Sequence, residues 1–300
     1  MKIKKILITG GTGLVGKKLC ALLQKEGYEV TILSRSKNPN SPYPTFTWDY
    51  QSRHLEAGAF EGVDAIIHLA GAGVADKRWS AERKKVILES RTMTSQLLYD
   101  QLKSTPNQVK TIIAASAIGI YGIENSPNSL TEESPIGTDY LADVTKEWEV
   151  ATSQFENLNV RLVQMRIGIV LSDKGGALMK LLEPPVAAAL GQGDQYMSWI
   201  HMEDVLGMFL WAIKNESATG PYNVVAPTPL TNHAFTKMAA KIFKKPFMPV
   251  PVPKFVLQIM LGQMAEILLG GSKISSQKIV DAGYHFKFPD FEAAVKDLKS

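Results

Sequence analysis

One cysteine, Cys20, stands alone in 300 residues, so no intrachain disulfide can form and packing must hold the fold. Flanked by Leu19 and Leu22-Leu23, it falls on the apolar side of a helix, where a lone thiol reads as a small core residue. Such usage fits a reducing, cytoplasmic setting. Long apolar runs are missing too. The start, Met1-Lys2-Ile3-Lys4-Lys5-Ile6, enters a strand without a signal-peptide pattern. The most apolar stretch, Phe255 to Leu269, is interrupted by Gln258, Gln263 and Glu266 and is too short to span a bilayer, so it reads as a packed helix and no membrane is implied. An excess of one charge is also absent: 33 Lys and Arg against 29 Asp and Glu leave +4, and the lysines are scattered. Nucleic acid is therefore not an implied partner. The one basic run, Arg83-Lys84-Lys85, reads as a solvated helix face. No internal repeat of roughly 20 to 50 residues appears, which sets aside solenoids and propellers.

What is present begins at Ile6-Leu7-Ile8-Thr9-Gly10-Gly11-Thr12-Gly13-Leu14-Val15-Gly16. An apolar strand runs into glycines at a spacing of three, followed by a helical pattern through Leu19 and Leu22-Leu23 that stops at Gly27. Gly10 permits the tight turn, Gly13 lets the backbone approach a pyrophosphate, and Gly16 lets the helix pack closely. The amides around Thr12, Leu14, Val15 and Gly16 then face an anion at a helix start. This is a dinucleotide-binding signature.

The second strand, Tyr28 to Leu33, ends at Ser34-Arg35, the position that selects the cofactor. Asp or Glu there holds a ribose 2′-hydroxyl, whereas arginine accommodates a 2′-phosphate, so NADP (NADPH) is favoured over NAD. Thr45 to Asp49 reads as a short strand; Asp49 either accepts from an adenine amino group or caps the next turn. Ala65-Ile66-Ile67-His68-Leu69-Ala70, closed by Gly71, reads as a parallel strand buried on both faces, with His68 a hydrogen-bonded core residue. A helix from about Ser80 to Leu102, a strand from Val109 to Ala115 ending at Ser116, a helix from about Asp139 to Phe155 and a strand from Val160 to Arg166 continue the alternation. The pattern implies an α/β fold, a Rossmann doubly wound parallel sheet over residues 1–171. Residues 172–300 form a smaller, mainly helical C-terminal substrate lobe, with a strand near 221–225 returning to the sheet and a small terminal domain over 249–298.

Thr9 to Gly16, His68 to Gly71, Ser116 to Gly122 and Trp199 to Val205 together resemble the extended short-chain dehydrogenase/reductase superfamily. Lys77-Arg78-Trp79, Glu89-Ser90-Arg91, Glu147-Trp148-Glu149, Arg166 to Leu171, Gly175 to Leu178 and Ser198 to His201 make the chain similar to its atypical branch, the epimerase-family proteins of poorly defined substrate. The tail from Pro249 to Leu298 resembles their C-terminal domain. The resemblance implies cofactor contacts at Ser34, Arg35, Leu69, Ala70, Arg91 and Val170. A glutamate that the family often carries after this turn is replaced by Ala72 and Gly73.

The superfamily's usual chemistry needs a tyrosine acid/base, a lysine four residues later and a nearby serine. Ser116 and Lys146 are candidates for two of these, but four residues before Lys146 stands Ala142. Tyr140 lies six residues before Lys146, about 240° around a helix, and reads as a packing residue. Tyr121 is either an acid/base or a wall of the pocket. Candidate substrate residues are Arg78, Trp79, Trp199 and His201. Arg78 either clamps an anionic group or is a surface arginine. Trp199 either stacks on a flat substrate or anchors the lobe interface. His201 with Glu203 and Asp204 reads as a helix start rather than a metal site. Two functions remain open: an NADP(H)-dependent oxidoreductase or epimerase on a small polar molecule, or an NADP(H)-binding sensor with little catalysis.

Overall fold

The computed structural model describes residues 3–124 and 128–299; Met1 and Lys2, which open the start read above, and Ser300 lie outside the described residues. The first half alternates as the apolar runs dictate: β1 (Lys5–Thr9), α1 (Leu14–Lys25), β2 (Glu29–Ser34), β3 (Thr45–Asp49), β4 (His54–Leu55) and β5 (Ala65–His68). Then follow α2 (Ala81–Ser104), β6 (Thr111–Ala117), α3 (Tyr140–Ser153) and β7 (Arg161–Ile167). Helix starts sit where short polar side chains can replace missing helical partners. Ser80 Oγ accepts from the Arg83 amide, and Asp139 Oδ1 accepts from the amides of Leu141 and Ala142.

Among the described residues eight strands form the main sheet, in the order β12-β7-β6-β5-β1-β2-β3-β4. β12 (Gly220–Val224) pairs in parallel with β7, so the return of a strand near 221–225 is observed. Only β4 runs antiparallel to its neighbour. Adjacent residues of a strand point to opposite faces. Ile6, Ile8 and Ile67 accordingly pack on one side with α1, while Leu7 and Ile66 pack on the other with Leu97 and Leu98 of α2. Parallel strands covered on both faces need this continuous apolarity. Cys20 and His68 are buried, as their contexts predict.

Between β7 and β12 lie β8 (Ile169–Leu171), α4 (Ala177–Leu182), β9 (Ala187–Leu190), β10 (Tyr196–Met197), β11 (Trp199–His201) and α5 (Met202–Lys214). α5 packs against α1 and so covers one face of the sheet. The chain ends through β13 (Leu230–Thr231), α6 (Asn232–Ile242), β14 (Phe247–Val252), α7 (Lys254–Leu261), α8 (Glu266–Leu269), α9 (Gln277–Asp281) and α10 (Phe291–Lys299). Short ribbons, β8 with β11, β9 with β14 and β10 with β13, stitch this helical lobe together. It shares one core with the sheet, to which it contributes Phe235, Phe291 and Val295. Asp204, fully buried on α5, clasps the final segment by accepting from Tyr284 Oη at 2.9 Å and from the amides of Lys287 and Phe288 at 2.7 and 2.9 Å.

Two sequence readings are corrected here. The stretch from Phe255 to Leu269 is not one packed helix: α7 ends at Gly262, a 3-10 turn intervenes, and Phe255, Ile259 and Met260 are exposed. Arg83 and Lys84 do not form a solvated face. Arg83 Nη2 donates to the carbonyl of Gly73, and Lys84 Nζ lies 4.5 Å from the centre of the Tyr140 ring and 2.6 Å from Gln263 Oε1. Among the described residues no helix is long and apolar enough to cross a membrane.

Candidate functional site

From β1 the chain winds outward to β2 and β3, then returns to β5 and winds the other way through β6 and β7. Neighbouring strands whose connections diverge leave a crevice outside their carboxyl ends, and here that point lies between β1 and β5. The glycine turn fills one side of it. Gly10 takes φ +70° and sits so close to the next loop that a Cβ would lie 2.9 Å from the carbonyl carbon and oxygen of Leu69. A Cβ on Gly16 would overlap the carbonyl oxygen of Gly10. Gly13 caps α1 without any side-chain hydrogen bond. Leu14, Val15 and Gly16 occupy the first turn, ahead of the first intrahelical bond from the Lys17 amide to the Gly13 carbonyl. A helix start of this kind carries unpaired amides and positive dipole.

A cleft of about 290 Å³ opens above this turn, at the lower end for a ligand site. Its walls include Gly10, Thr12, Gly13, Ser34, Arg35, Leu69, Ala70 and Gly71. One contiguous cavity thus joins the glycine turn, the selector position after β2 and the loop after β5. Arg35 is exposed and, among the described residues, pairs with no carboxylate. Trp48, Tyr50, Val86, Ser90 and Thr94 also line it. These five were not read from the sequence as site residues, although Val86, Ser90 and Thr94 recur at the three- and four-residue spacing of one helix face.

Asp49 is corrected. Its carboxylate accepts from the Gln51 amide and Ser52 hydroxyl, at 3.0 and 2.7 Å, so of the two roles open to it the structure gives turn capping; its neighbours Trp48 and Tyr50 face the cleft. Arg91 lies behind the loop wall. Its Nη1 donates to the carbonyls of Ala72 and Ile87, its guanidinium rests 4.9 Å from the Trp148 ring centre, and burial pulls its pKa down to about 10. Val170, half-buried in β8, stands opposite Ile200 just beyond the end of β7.

His68 is the hydrogen-bonded core residue that its strand predicts. Nδ1 lies 2.7 Å from Thr9 Oγ1 and Nε2 lies 3.1 Å from Ser95 Oγ. Complete burial pushes its pKa down to about 4, which keeps it neutral.

The three catalytic candidates differ in their surroundings. Ser116 Oγ donates to Glu149 Oε1 at 2.6 Å, and that carboxylate is held bidentately by Arg166 at 2.8 Å through both Nε and Nη2. Tyr121 is buried, donates to Asn223 Oδ1 at 2.7 Å, accepts from Arg166 Nη1 at 2.8 Å and has its pKa pushed up to about 12 by burial. The Asn223 amide in turn donates to Glu132, whose carboxyl is shifted upward by burial. Ser116 and Tyr121 therefore belong to one polar network centred on Arg166. Lys146 points to solvent, because α3 turns Ala142, Thr145 and Trp148 inward instead. Leu141 and Thr145, four residues apart on α3, flank Gly119 just beyond β6. Neither side chain titrates near neutrality.

Among the substrate candidates, Trp199 and His201 are corrected to interior residues. Trp199 Nε1 donates to the Thr228 carbonyl and its ring packs edge-on against Phe291, so it anchors the lobe. His201 caps α5 by accepting from the Glu203 amide, the helix start read from the sequence, and is buried against Phe288. Arg78 and Trp79 do not line the cleft; they lie on the segment just before α2. Arg78 is exposed over Gly262, while Trp79 is edge-on to Tyr140 at 4.7 Å. Tyr140 packs, as its helical phase predicts, and its hydroxyl donates to the Lys84 carbonyl. Among the described residues no three His, Cys, Asp or Glu side chains are grouped to hold a metal.

Residues 6–225 match the NAD dependent epimerase/dehydratase family, and residues 252–298 match a domain of unknown function, DUF1731. An epimerase family protein of Staphylococcus aureus is 36% identical over 301 residues, spanning 99% of this chain and 100% of that protein. The structure of human epimerase family protein SDR39U1 (isoform 2) with NADPH superposes with a TM-score of 0.87 at 30% identity and 98% coverage of each chain. A nucleoside-diphosphate sugar epimerase from Corynebacterium glutamicum gives a TM-score of 0.78 at 30% identity, covering 98% of this chain and 57% of that one. With a glycine-turn cleft at the strand switch point and a family match over most of its length, this chain belongs to the NAD dependent epimerase/dehydratase family, in its atypical short-chain dehydrogenase/reductase branch.

Proposed function

We propose that the protein binds NADP(H) in the cleft between β1 and β5 and serves as an oxidoreductase or epimerase for a small polar molecule. The observation that carries this reading is the single cavity joining Gly10 and Gly13 to Ser34 and Arg35. Bound there, the nicotinamide supplies a hydride acceptor or donor. Gly10, Gly13 and the first amides of α1 would hold the pyrophosphate, while Ser34 and the unpaired Arg35 would hold the 2′-phosphate. Arg78, exposed beside Gly262, and Trp79 would meet the substrate.

A second reading, an NADP(H)-binding sensor, is favoured by the engagement of Ser116 and Tyr121 in structural hydrogen bonds and by the outward Lys146. Loss of general acid/base assistance costs roughly 10²- to 10⁴-fold in rate, which leaves slow turnover. The test is a screen of carbonyl compounds and alcohols against NADPH and NADP⁺, followed by nicotinamide absorbance. Turnover of any compound supports the enzyme; tight binding without turnover supports the sensor.

Cofactor choice has its own test. Arg35→Ala is expected to weaken NADPH binding by about tenfold or more, the loss of one charge-assisted phosphate contact, while leaving NADH affinity within about twofold. Calorimetric titration measures both. Equal loss for the two dinucleotides would remove Arg35 from the 2′-phosphate site.

A further inference from the structure

Thr9 ends β1, His68 ends β5, and the two are register partners at the switch point of the sheet. Thr9 Oγ1 accepts from the amides of Leu69 and Ala70, each at 3.1 Å. A hydroxyl has two acceptor lone pairs and one proton, so its proton must go to its third neighbour, His68 Nδ1 at 2.7 Å. Neutral imidazole then carries its proton on Nε2 and donates to Ser95 Oγ at 3.1 Å. Ser95 Oγ passes the direction on, donating to the Arg91 carbonyl at 2.7 Å. Each proton has one place.

We infer that Thr9, His68 and Ser95 form a proton-ordered chain that positions the Leu69–Ala72 loop for the dinucleotide, with His68 fixed as the Nε2–H tautomer. The inference rests on the proposal that this cleft takes NADP(H). Three walls meet in the chain: Thr9 precedes the Gly10 turn, Leu69 and Ala70 lead the loop, and Ser95 lies on α2 beside Thr94. The contact between Gly10 and Leu69 leaves no slack, so a loop released from Thr9 would move against the glycine turn. Thr9 and His68 are positioning residues; they act through the loop backbone.

The test compares the full-length protein with Thr9→Val, which keeps the β-branched shape and removes the hydroxyl, and with Thr9→Ser, which restores it. Histidine nitrogen NMR on the protein without added nucleotide is expected to show His68 protonated on Nε2, and protonation on Nδ1 overturns the chain. Amide exchange at Ala70 should quicken by at least tenfold in Thr9→Val and stay near wild type in Thr9→Ser. NADPH affinity, read by calorimetry, should fall about tenfold in Thr9→Val and return to within threefold in Thr9→Ser. Unchanged exchange and affinity in Thr9→Val overturn the positioning role, as does a failure of Thr9→Ser to rescue. If the wild-type protein binds neither NADPH nor NADP⁺, the cleft proposal fails with the positioning role, while nitrogen NMR still decides the tautomer separately.

Discussion

Gly16→Ala is expected to weaken dinucleotide binding by at least about a hundredfold. The added methyl would overlap the carbonyl oxygen of Gly10 and crowd the Cα of Gly11, both backbone atoms of the turn itself. No side chain can rotate away. Relief requires α1 to back out of the turn or the turn to rise into the cleft, and Gly10 is already in close contact with Leu69. Either movement misaligns the first-turn amides that would receive the pyrophosphate. Overpacking of this kind also costs about 1–3 kcal/mol of stability. Calorimetry with NADPH and a denaturant titration measure the two effects, and an affinity within threefold of wild type would deny the turn its role.

The other large effect is expected at the pair formed by Arg166 and Glu149. Both side chains are nearly buried, with two hydrogen bonds between them, and Arg166 also reaches Tyr121 and the Glu132 carbonyl. Removing one partner of a buried pair leaves a charge that neither water nor protein compensates, at a cost of roughly 3–5 kcal/mol. Glu149→Ala should therefore destabilise by about that amount in a urea titration. The double variant Glu149→Leu with Arg166→Met should be more stable than Glu149→Ala, because an apolar pair buries no charge. A cost below about 1 kcal/mol for Glu149→Ala would mean that the pair is solvated like a surface bridge. The same network holds Ser116 through Glu149 and Tyr121 through Arg166.

Much of the cofactor side was legible in the chain because its signals are local. Gly10, Gly13 and Gly16 mark a turn between a strand and a helix, and Ser34-Arg35 follows the next strand at once. Asp139 caps α3, and the run from Gly220 reads as a strand before any partner is known. The catalytic side was less legible, since its meaning depends on residues distant in sequence. Tyr121 is defined by Asn223, 102 residues later, and Ser116 by Glu149, 33 residues later. Trp199 and His201 look functional as polar-tipped aromatics, yet their surroundings come from Phe291 and Phe288. Asp49 could face a ligand or a turn, and the path of β3 and β4 decided between them.

Periodicity and glycine spacing by themselves determined the Rossmann sheet and its glycine turn, and Ala142 by its identity removed the tyrosine four residues before Lys146. Those features depend on backbone geometry and on which residues can leave water, both of which are properties of neighbouring residues along the chain. Only the tertiary structure decided that Ala142 and Thr145 face inward, that Lys146 faces solvent and that Thr9, His68 and Ser95 are chained at the switch point. Such assignments depend on the rotation of a helix against its sheet and on which buried polar groups find partners, and long-range packing sets both.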